Sequence, residues 1–246
     1  MRDHPRMTLA SPPPEVPIRL YQTRPHPCGY YAERIARNLV LDPASPYLAS
    51  AYASAIDHGF RRSGAQVYRP HCETCHACVA TRIDVASFAP NRSQRRTLAR
   101  NADLNLRIAP ARCSEEYFAL YSRYLAARHG DGPMAESGPE DFLAFLTCDW
   151  SRTAFLELRR DEELLAVAVT DLLPQGISAV YTFYSTVEPA RSLGTCSILH
   201  QIEFARRRNL PFVYLGYWID GHPKMDYKRR FPAMQVLRDQ RWQPMP

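Results

Sequence analysis

Aromatic and cationic side chains follow an apolar segment near the end of this 246-residue chain. The apolar segment, residues 211–215, is rich in β-branched and aromatic residues, which predicts a buried strand. Beyond it come side chains that the core of a strand does not hold: Tyr217, Trp218, His222, Lys224, Tyr227 and Lys228. They form either the wall of a pocket or an aromatic corner of the core with solvated lysines.

Three of the seven cysteines lie close together in the sequence: Cys72, Cys75 and Cys78. A Cys-x2-Cys-x2-Cys spacing can surround one tetrahedral metal site, with Cys28, His71 or His76 as the fourth ligand. The clustering favours metal or redox chemistry in a reducing cytoplasm over a disulfide framework, with an iron–sulfur cluster or zinc as candidates. Packed thiols without a metal are the alternative.

Arginines are concentrated within about forty residues: Arg61, Arg62, Arg69, Arg92, Arg95, Arg96 and Arg100. The guanidinium group binds phosphate with two parallel hydrogen bonds, and a net charge of +6 is compatible with a polyanionic partner. From the residues alone, a phosphate-binding surface and a solvated basic face are equally good interpretations.

The remaining composition excludes two classes of protein. No apolar run approaches the roughly 18 residues that a membrane-spanning helix needs. The first residues carry charges and prolines instead of the apolar segment of a secretory signal, so a cytoplasmic protein is expected. Residues 1–17 predict a mobile leader, because they contain little that can be buried.

The order of predicted elements indicates the fold that positions these side chains. Pro110 marks a domain boundary, which divides the chain into a cysteine-bearing domain of residues 18–109 and a second domain of residues 110–246. The second domain reads as two helices, three antiparallel strands, a turn, a helix and the buried strand: residues 114–129, 139–148, 153–158, 164–171, 178–184, 191–196, 197–208 and 211–215. This order is similar to the Gcn5-like N-acyltransferase fold, a mixed and mainly antiparallel sheet flanked by helices. The expected class is therefore α+β, with an α+β domain in front.

The turn before the last helix runs from Arg191 to Cys196. In the N-acyltransferase fold a turn of similar form cradles a pyrophosphate. Gly194 lets the backbone approach an anion at the helix N-terminus, where free N–H groups point outward.

Longer strings carry a more specific resemblance, and they occur in order: residues 59–64, 68–70, 92–96, 171–174, 178–181, 192–194, 214–219 and 224–228. Over residues 18–242 the chain resembles the aminoacyl-tRNA–protein transferases of the N-degron pathway. It is most similar to the bacterial aspartate/glutamate leucyltransferase branch. The resemblance implies transfer of leucine from leucyl-tRNA to the N-terminal Asp or Glu of a protein, which marks that protein for degradation. It implies tRNA and protein partners and no membrane.

The chemistry of such a transfer gives expected roles to the singled-out residues. Catalytic roles fall to Asp171, Tyr217 and Lys228, and substrate binding to a larger set: Tyr181, Gly194, Trp218, Lys224, Tyr227, Arg61, Arg62, Arg95 and Arg96. The attacking group is the substrate's own α-amine, with a pKa of about 7.7–8.0, so no covalent enzyme intermediate and no cofactor is needed for the transfer. Asp171 orients the amine or accepts its proton, with a turn-capping carboxylate as the equal alternative. Lys224, Lys228 or an arginine binds the acidic side chain.

Eukaryotic relatives carry a second cysteine where this chain has Tyr31, and they have been linked to an iron–sulfur cluster. The competing hypotheses are an arginyl-tRNA–protein transferase, an acyl-CoA N-acetyltransferase, and a non-enzymatic tRNA-binding or metal-sensing module. The first shares most of the strings, the second rests on the Arg191 turn, and the third rests on the arginines and cysteines.

Overall fold

The computed structural model describes residues 17–129 and 138–246. The predicted leader, residues 1–17, lies outside this description except for Pro17. Within the described residues, no helix is long and apolar enough to cross a membrane.

The first part of the chain forms a four-stranded sheet in the order β1-β4-β6-β5, a separate two-stranded sheet and one helix. The elements are β1 (Leu20–Gln22), β2 (His26–Pro27), β3 (Ile35–Ala36), β4 (Asn38–Leu41), α1 (Leu48–Ala55), β5 (Arg61–Ser63) and β6 (Gln66–Pro70). The helix ends in a 3₁₀ turn, Ile56–His58, followed by Gly59 in the left-handed conformation with φ +83°. This turn aims the chain into β5, which carries Arg61 and Arg62.

A larger sheet of eight strands forms the centre of the described structure, in the order β14-β13-β7-β12-β11-β10-β9-β8. Its strands are β7 (Val79–Asp84), β8 (Asn105–Pro110), β9 (Thr153–Arg160), β10 (Glu163–Leu173), β11 (Gly176–Tyr184), β12 (Phe212–Trp218), β13 (Met234–Arg238) and β14 (Arg241–Pro244). Neighbouring strands are antiparallel except for β11 and β12, which are parallel. The structure is therefore a mixed α+β arrangement with mainly antiparallel sheets.

Helices cover both faces of this sheet: α2 (Arg92–Arg100), α3 (Glu115–His129), α4 (Pro139–Leu146) and α5 (Leu193–Arg207). On one face Ile198 and Ile202 of α5 pack with Ala168 of β10. On the other face Leu120 of α3 packs with Val167. Adjacent residues of β10 thus reach opposite cores, because successive side chains of a strand alternate between faces. Burying each large aliphatic side chain contributes about 1.5–3 kcal/mol.

Strand β7 connects the two parts of the chain. It lies between β12 and β13 in the large sheet, although it precedes Pro110 in the sequence. The large sheet also includes β8, which ends at Pro110. The sheet therefore draws strands from both sides of residue 110, and a division into domains at that residue remains a prediction.

Candidate functional site

The candidate site lies where the two parallel strands separate. The register of β11 and β12 extends only over Gly176–Ser178 and Phe212–Tyr214. Beyond this pairing, the guanidinium of Arg61 from β5 lies between the strands. Its Nη2 donates a hydrogen bond to the carbonyl oxygen of Val180 in β11 at 3.1 Å, and its other side lies against Gly216 of β12.

Gly216 makes room for this arginine. Its φ is +75°, and a Cβ atom added there would lie 1.8 Å from Nη1 of Arg61. The strand register against β7 also shifts between Tyr214 and Gly216. Both the backbone conformation and the close approach therefore require glycine at this position.

Lys228 is the second cation of the site. It belongs to the 3₁₀ turn Asp226–Arg230 and is only 3% exposed. Its Nζ donates a 2.6 Å hydrogen bond to the carbonyl oxygen of Tyr217 and lies 3.3 Å from Sδ of Met225. Burial, followed by the positive charge of Arg61, lowers the pKa of Lys228 to about 7. An amine in this range is divided between its charged and neutral forms near neutral pH.

Tyrosines surround the two cations. The hydroxyl of Tyr217 donates to the carbonyl oxygen of Gly59 at 2.9 Å, and Arg61 Cζ lies 5.6 Å from the centre of its ring. Burial raises the pKa of Tyr30 and of Tyr227 to about 12, and the charge of Arg61 opposes that rise in both. The phenols are thus neutral at physiological pH and supply no negative charge.

The site consequently has an uncompensated positive charge. Within residues 17–129 and 138–246, neither Arg61 nor Lys228 forms an ion pair with a carboxylate. The Nε–H of Arg61 is buried and has no hydrogen-bond partner. Buried cations are normally paired, so this arrangement is typical of a site for an anionic ligand.

The neighbouring residue, Arg62, has a different environment. Its side chain and that of Asp171 are both 0% exposed, and they form a two-point ion pair with Nε–Oδ2 at 2.6 Å and Nη2–Oδ1 at 2.7 Å. The hydroxyls of Tyr52 and Thr153 donate to the same carboxylate. This geometry corrects two expectations: Arg62 has no surface to offer a tRNA phosphate, and Asp171 cannot reach an incoming amine. The pair joins β5 to β10.

Trp218 and Tyr181, two aromatic residues expected in the pocket, make their contacts within the protein. Trp218 is 5% exposed and donates from Nε1 to Asp226 at 2.9 Å. Tyr181 packs in an aromatic cluster with Tyr121 and Phe145, and its buried hydroxyl has no partner. Burial raises the pKa of Tyr181. The unpaired hydroxyl makes Tyr181 the better candidate for contact with a polar ligand atom.

In the turn before α5, carboxylates of the protein already pair with the arginine. Arg191 pairs with Asp103 at 2.9 Å and with Glu188 at 3.0 Å. Its guanidinium is therefore not available for a pyrophosphate, which weakens the acyl-CoA hypothesis. Gly194 follows in the first turn of α5, where an added Cβ would lie 3.1 Å from the ring of Tyr184.

Exposed cations lie outside this buried site. On α2, a set of arginines faces solvent: Arg92, Arg95, Arg96 and Arg100. The helix begins with a capping box, in which Asn91 Oδ1 accepts from the N–H of Gln94 and Gln94 Oε1 accepts from the N–H of Asn91. Lys224 is also exposed. Tyr227 borders the buried site, since its ring centre lies 5.1 Å from Nζ of Lys228, while the residue is 38% exposed.

The cysteines do not form the expected ligand set. Within the described residues, no group of three or more His, Cys, Asp or Glu side chains is arranged to hold a metal ion. Instead, Sγ of Cys75 accepts a 3.3 Å hydrogen bond from Arg34, and Sγ of Cys72 lies 3.8 Å from the carbonyl oxygen of Arg37. Burial, followed by the thiols of Cys28 and other neighbours, raises the pKa of Cys78 to about 12. Cys28, Cys72 and Cys75 all lie near enough to act on the pKa of Cys78, and their role as metal ligands stays a prediction.

Another cleft lies away from this site. It has a volume of about 690 Å³ and is lined by residues at the start of α3 and on β8 and β9. Its Arg159 is fully compensated, since it pairs with Glu116 at 2.6 Å and with Glu157 at 2.7 Å. The uncompensated charge at Arg61 identifies the stronger functional candidate.

Sequence reasoning did not assign roles to Tyr30, Tyr68 and Gly216. Tyr30 lies near enough to Arg61 for the guanidinium to oppose the rise of its pKa, and the ring of Tyr68 lies 6.5 Å from that of Tyr217. A glycine inside an otherwise aromatic strand was the available signal for Gly216.

Comparison with known proteins gives a consistent result at the level of sequence. The family model described as arginine-tRNA-protein transferase, N terminus, matches residues 26–96, and the model for the C terminus matches residues 116–238. An aspartate/glutamate leucyltransferase of Stenotrophomonas maltophilia (strain K279a) is 55% identical over 231 residues, which cover 92% of each chain. One of Xylella fastidiosa (strain 9a5c) is 51% identical over 237 residues, covering 94% of this chain and 93% of the relative.

Solved structures show more distant similarity. The C-terminal domain of a putative lysylphosphatidylglycerol synthetase from Agrobacterium fabrum aligns with a TM-score of 0.44 and 16% identity, over 71% of this chain and 52% of that one. L-PGS from Bacillus licheniformis aligns with a TM-score of 0.47 and 13% identity, over 70% and 53%.

Proposed function

This chain belongs to the family of the aminoacyl-tRNA–protein transferases, and on that premise we propose that it transfers leucine from leucyl-tRNA to the N-terminal Asp or Glu of acceptor proteins. The observation that carries the proposal is the 55% identity to an aspartate/glutamate leucyltransferase over 92% of both chains. The leucylated protein then enters the N-degron pathway of degradation.

The chemistry requires little beyond positioning. The α-nitrogen of the acceptor attacks the leucyl carbonyl carbon, the ester C–O bond to the terminal ribose breaks, and the proton lost by the amine goes finally to the ribose oxygen. The ester is already an activated acyl donor, so alignment of the two substrates supplies much of the rate.

Lys228 is the side chain best suited to accept that proton. Burial lowers its pKa to about 7, in the same range as the 7.7–8.0 of an α-amine, so part of it is neutral near neutral pH. Asp171 is not available for this role, because its carboxylate is shielded and paired with Arg62. Tyr217 supports Lys228 through its carbonyl oxygen.

The parallel strands and the helix between them support a finer description of the fold. We propose that β10 to β12 with α5 form the core of the Gcn5-like N-acyltransferase fold, with the acyl group entering where β11 and β12 separate. Tyr181 and Tyr227 line the leucine and terminal-adenosine side of this opening. The exposed arginines of α2, including Arg95 and Arg96, contact the tRNA backbone.

A transfer assay tests the proposed function. Labelled leucyl-tRNA is incubated with peptides that differ only in the first residue: Asp, Glu, Asn or Ala. We expect labelled product with Asp and Glu and little with Asn or Ala. The absence of transfer to both acidic peptides would contradict the proposal.

An arginyl-tRNA–protein transferase is the second candidate, since both matching family models carry that description. Competition between leucyl-tRNA and arginyl-tRNA in the same assay separates the two. We expect leucine to be incorporated. Preferential incorporation of arginine would support the second candidate.

A further inference from the structure

We propose that the guanidinium of Arg61 is the receptor for the side-chain carboxylate of the acceptor's N-terminal Asp or Glu. The inference rests on the proposed function and assigns its specificity to one residue. The sequence places Arg61 among many basic residues, and its position in the structure distinguishes it from them.

The first argument is the unused binding capacity of Arg61. A guanidinium has five N–H donors, and the structure pairs one of them, Nη2–H with the carbonyl oxygen of Val180. The buried Nε–H has no partner. In exposure, Arg61 is intermediate between the buried Arg62 and the exposed arginines of α2. A carboxylate accepts two parallel hydrogen bonds from such a group.

The second argument is the neighbouring charge. Lys228 is near enough to Arg61 for the guanidinium to lower its proton affinity, and both lack a carboxylate partner among the described residues. Placing two cations together in a poorly solvated space is unfavourable until an anion arrives. The acceptor's carboxylate compensates this charge, and its α-amine, which belongs to the same residue, is then held near Lys228.

The third argument is that the structure is built to hold Arg61 in this position. A left-handed glycine at position 216 leaves space that any other residue would fill, since a Cβ would lie 2.7 Å from Cζ of Arg61. The tyrosine rings around the group stay neutral and add no competing anion. Both features keep the guanidinium in place and uncompensated.

A small carboxylate fits this place better than a tRNA phosphate. The backbone of a nucleic acid is tracked by exposed cations, and this chain has exposed arginines on α2. Arg61 lies instead between strand backbones, bonded to Val180 on one side and packed against Gly216 on the other. This enclosed position suits a single small anionic group, whereas a phosphodiester chain needs an open groove.

The test compares peptides that differ by charge alone. We measure kcat/KM at saturating leucyl-tRNA for peptides beginning with Asp, Asn, Glu or Gln, using the wild type, Arg61→Gln, Arg61→Lys and the α2 control Arg95→Gln. Arg61→Gln is expected to reduce the Asp-over-Asn ratio about 100-fold, as expected for loss of charge-assisted hydrogen bonds. Arg61→Lys is expected to retain part of the ratio. Arg95→Gln is expected to keep the ratio and, when leucyl-tRNA is varied in a separate titration, to raise the KM for tRNA.

Direct binding gives a second readout that does not depend on turnover. Calorimetric titration of the full chain with the Asp peptide is expected to show binding that the Asn peptide and Arg61→Gln both lose, with urea unfolding confirming that the variant is folded. An unchanged Asp-over-Asn ratio or undiminished peptide binding in Arg61→Gln overturns the inference, and a raised tRNA KM with an intact ratio assigns Arg61 to tRNA instead. Lack of transfer by the wild type contradicts the proposed function, while the titration still decides the role of Arg61.

Discussion

Two adjacent arginines on β5 have opposite environments. Arg62 donates to both oxygens of Asp171, and it also donates to the carbonyl oxygens of Gly64 and Leu146. Arg61 makes one hydrogen bond and has a buried N–H without a partner. Because successive strand residues point to opposite faces, one arginine is part of a structural connection and the other faces the candidate site. The same type of side chain thus connects two strands where its charge is paired, and keeps unused N–H donors where it is not.

The largest expected effect on stability comes from breaking the ion pair of Arg62 with Asp171. Arg62→Met leaves Asp171 buried without its cation, and we expect the free energy of unfolding to fall by about 3–5 kcal/mol. Urea unfolding monitored by fluorescence measures it. The matched control is Arg61→Met, which loses one hydrogen bond and is expected to change stability by less than about 1.5 kcal/mol. Equal losses in the two variants would contradict the distinction between the arginines.

The pH dependence of stability tests the buried Lys228, which has no carboxylate partner among the described residues. The pKa of Lys228 is lowered from 10.5 in the unfolded chain to about 7 in the folded protein. Between these values the unfolded chain binds a proton that the folded chain does not, so stability rises with pH across that window. Relative to Lys228→Met, the wild type is expected to gain on the order of a few kcal/mol from pH 7 to 10.

Urea unfolding at several pH values measures this difference. Lys224→Met controls for the loss of a lysine from the surface of the same segment. Parallel pH profiles of the wild type and Lys228→Met would show that Lys228 keeps an ordinary proton affinity in the folded state.

A smaller effect is expected when the space for Arg61 is filled. Gly216→Ala strains a backbone with φ +75° and displaces the guanidinium, and we expect a loss of about 2–3 kcal/mol together with a weaker preference for Asp over Asn peptides. Gly221→Ala is the matched control, because its φ is +66° but no atom lies within 4 Å of the added Cβ. It is expected to cost about 1–2 kcal/mol and to keep the peptide preference. Loss of the preference in both variants would contradict the role of the space at Gly216.

The smallest effect on stability is expected at the exposed arginines. Arg95→Gln on α2 is expected to change the free energy of unfolding by less than about 0.5 kcal/mol. It is expected to flatten the salt dependence of tRNA binding by about 0.7–0.9 in the slope of log K against log salt, which corresponds to one phosphate contact. Binding titrations at several salt concentrations measure it, and Arg61→Gln should leave the slope unchanged.

Local elements were predictable from the sequence. The helix expected at residues 114–129 is α3, and Ser114 caps it by accepting a hydrogen bond from the N–H of Tyr117 at 3.3 Å. The Ala-rich residues before Gly59 form α1 and a 3₁₀ turn, and Gly59 in the left-handed conformation ends them. These features depend on side chains within a few residues of one another, so a local pattern contains the necessary information.

The environments of the arginines were not predictable in the same way. Asp171 is 109 residues from Arg62 in the sequence, and only the packing of β5 against β10 brings the two together. Nothing within a few residues of Arg61 distinguishes it from Arg62. The cysteine spacing was informative about proximity, but the contacts of Cys72 and Cys75 with Arg37 and Arg34 depend on how the two-stranded and four-stranded sheets position that loop.

The position of β7 has a consequence for biosynthesis. Its neighbours in the sheet are β12 and β13, so a strand that ends at Asp84 pairs with one that ends at Arg238. Such long-range pairing is slow, because a large loop must close before any contact is gained. During translation, the central part of the sheet cannot assemble until nearly the whole chain has left the ribosome. A nascent chain that ends before β12 therefore contains Arg61 but not Gly216, so it cannot form the candidate site.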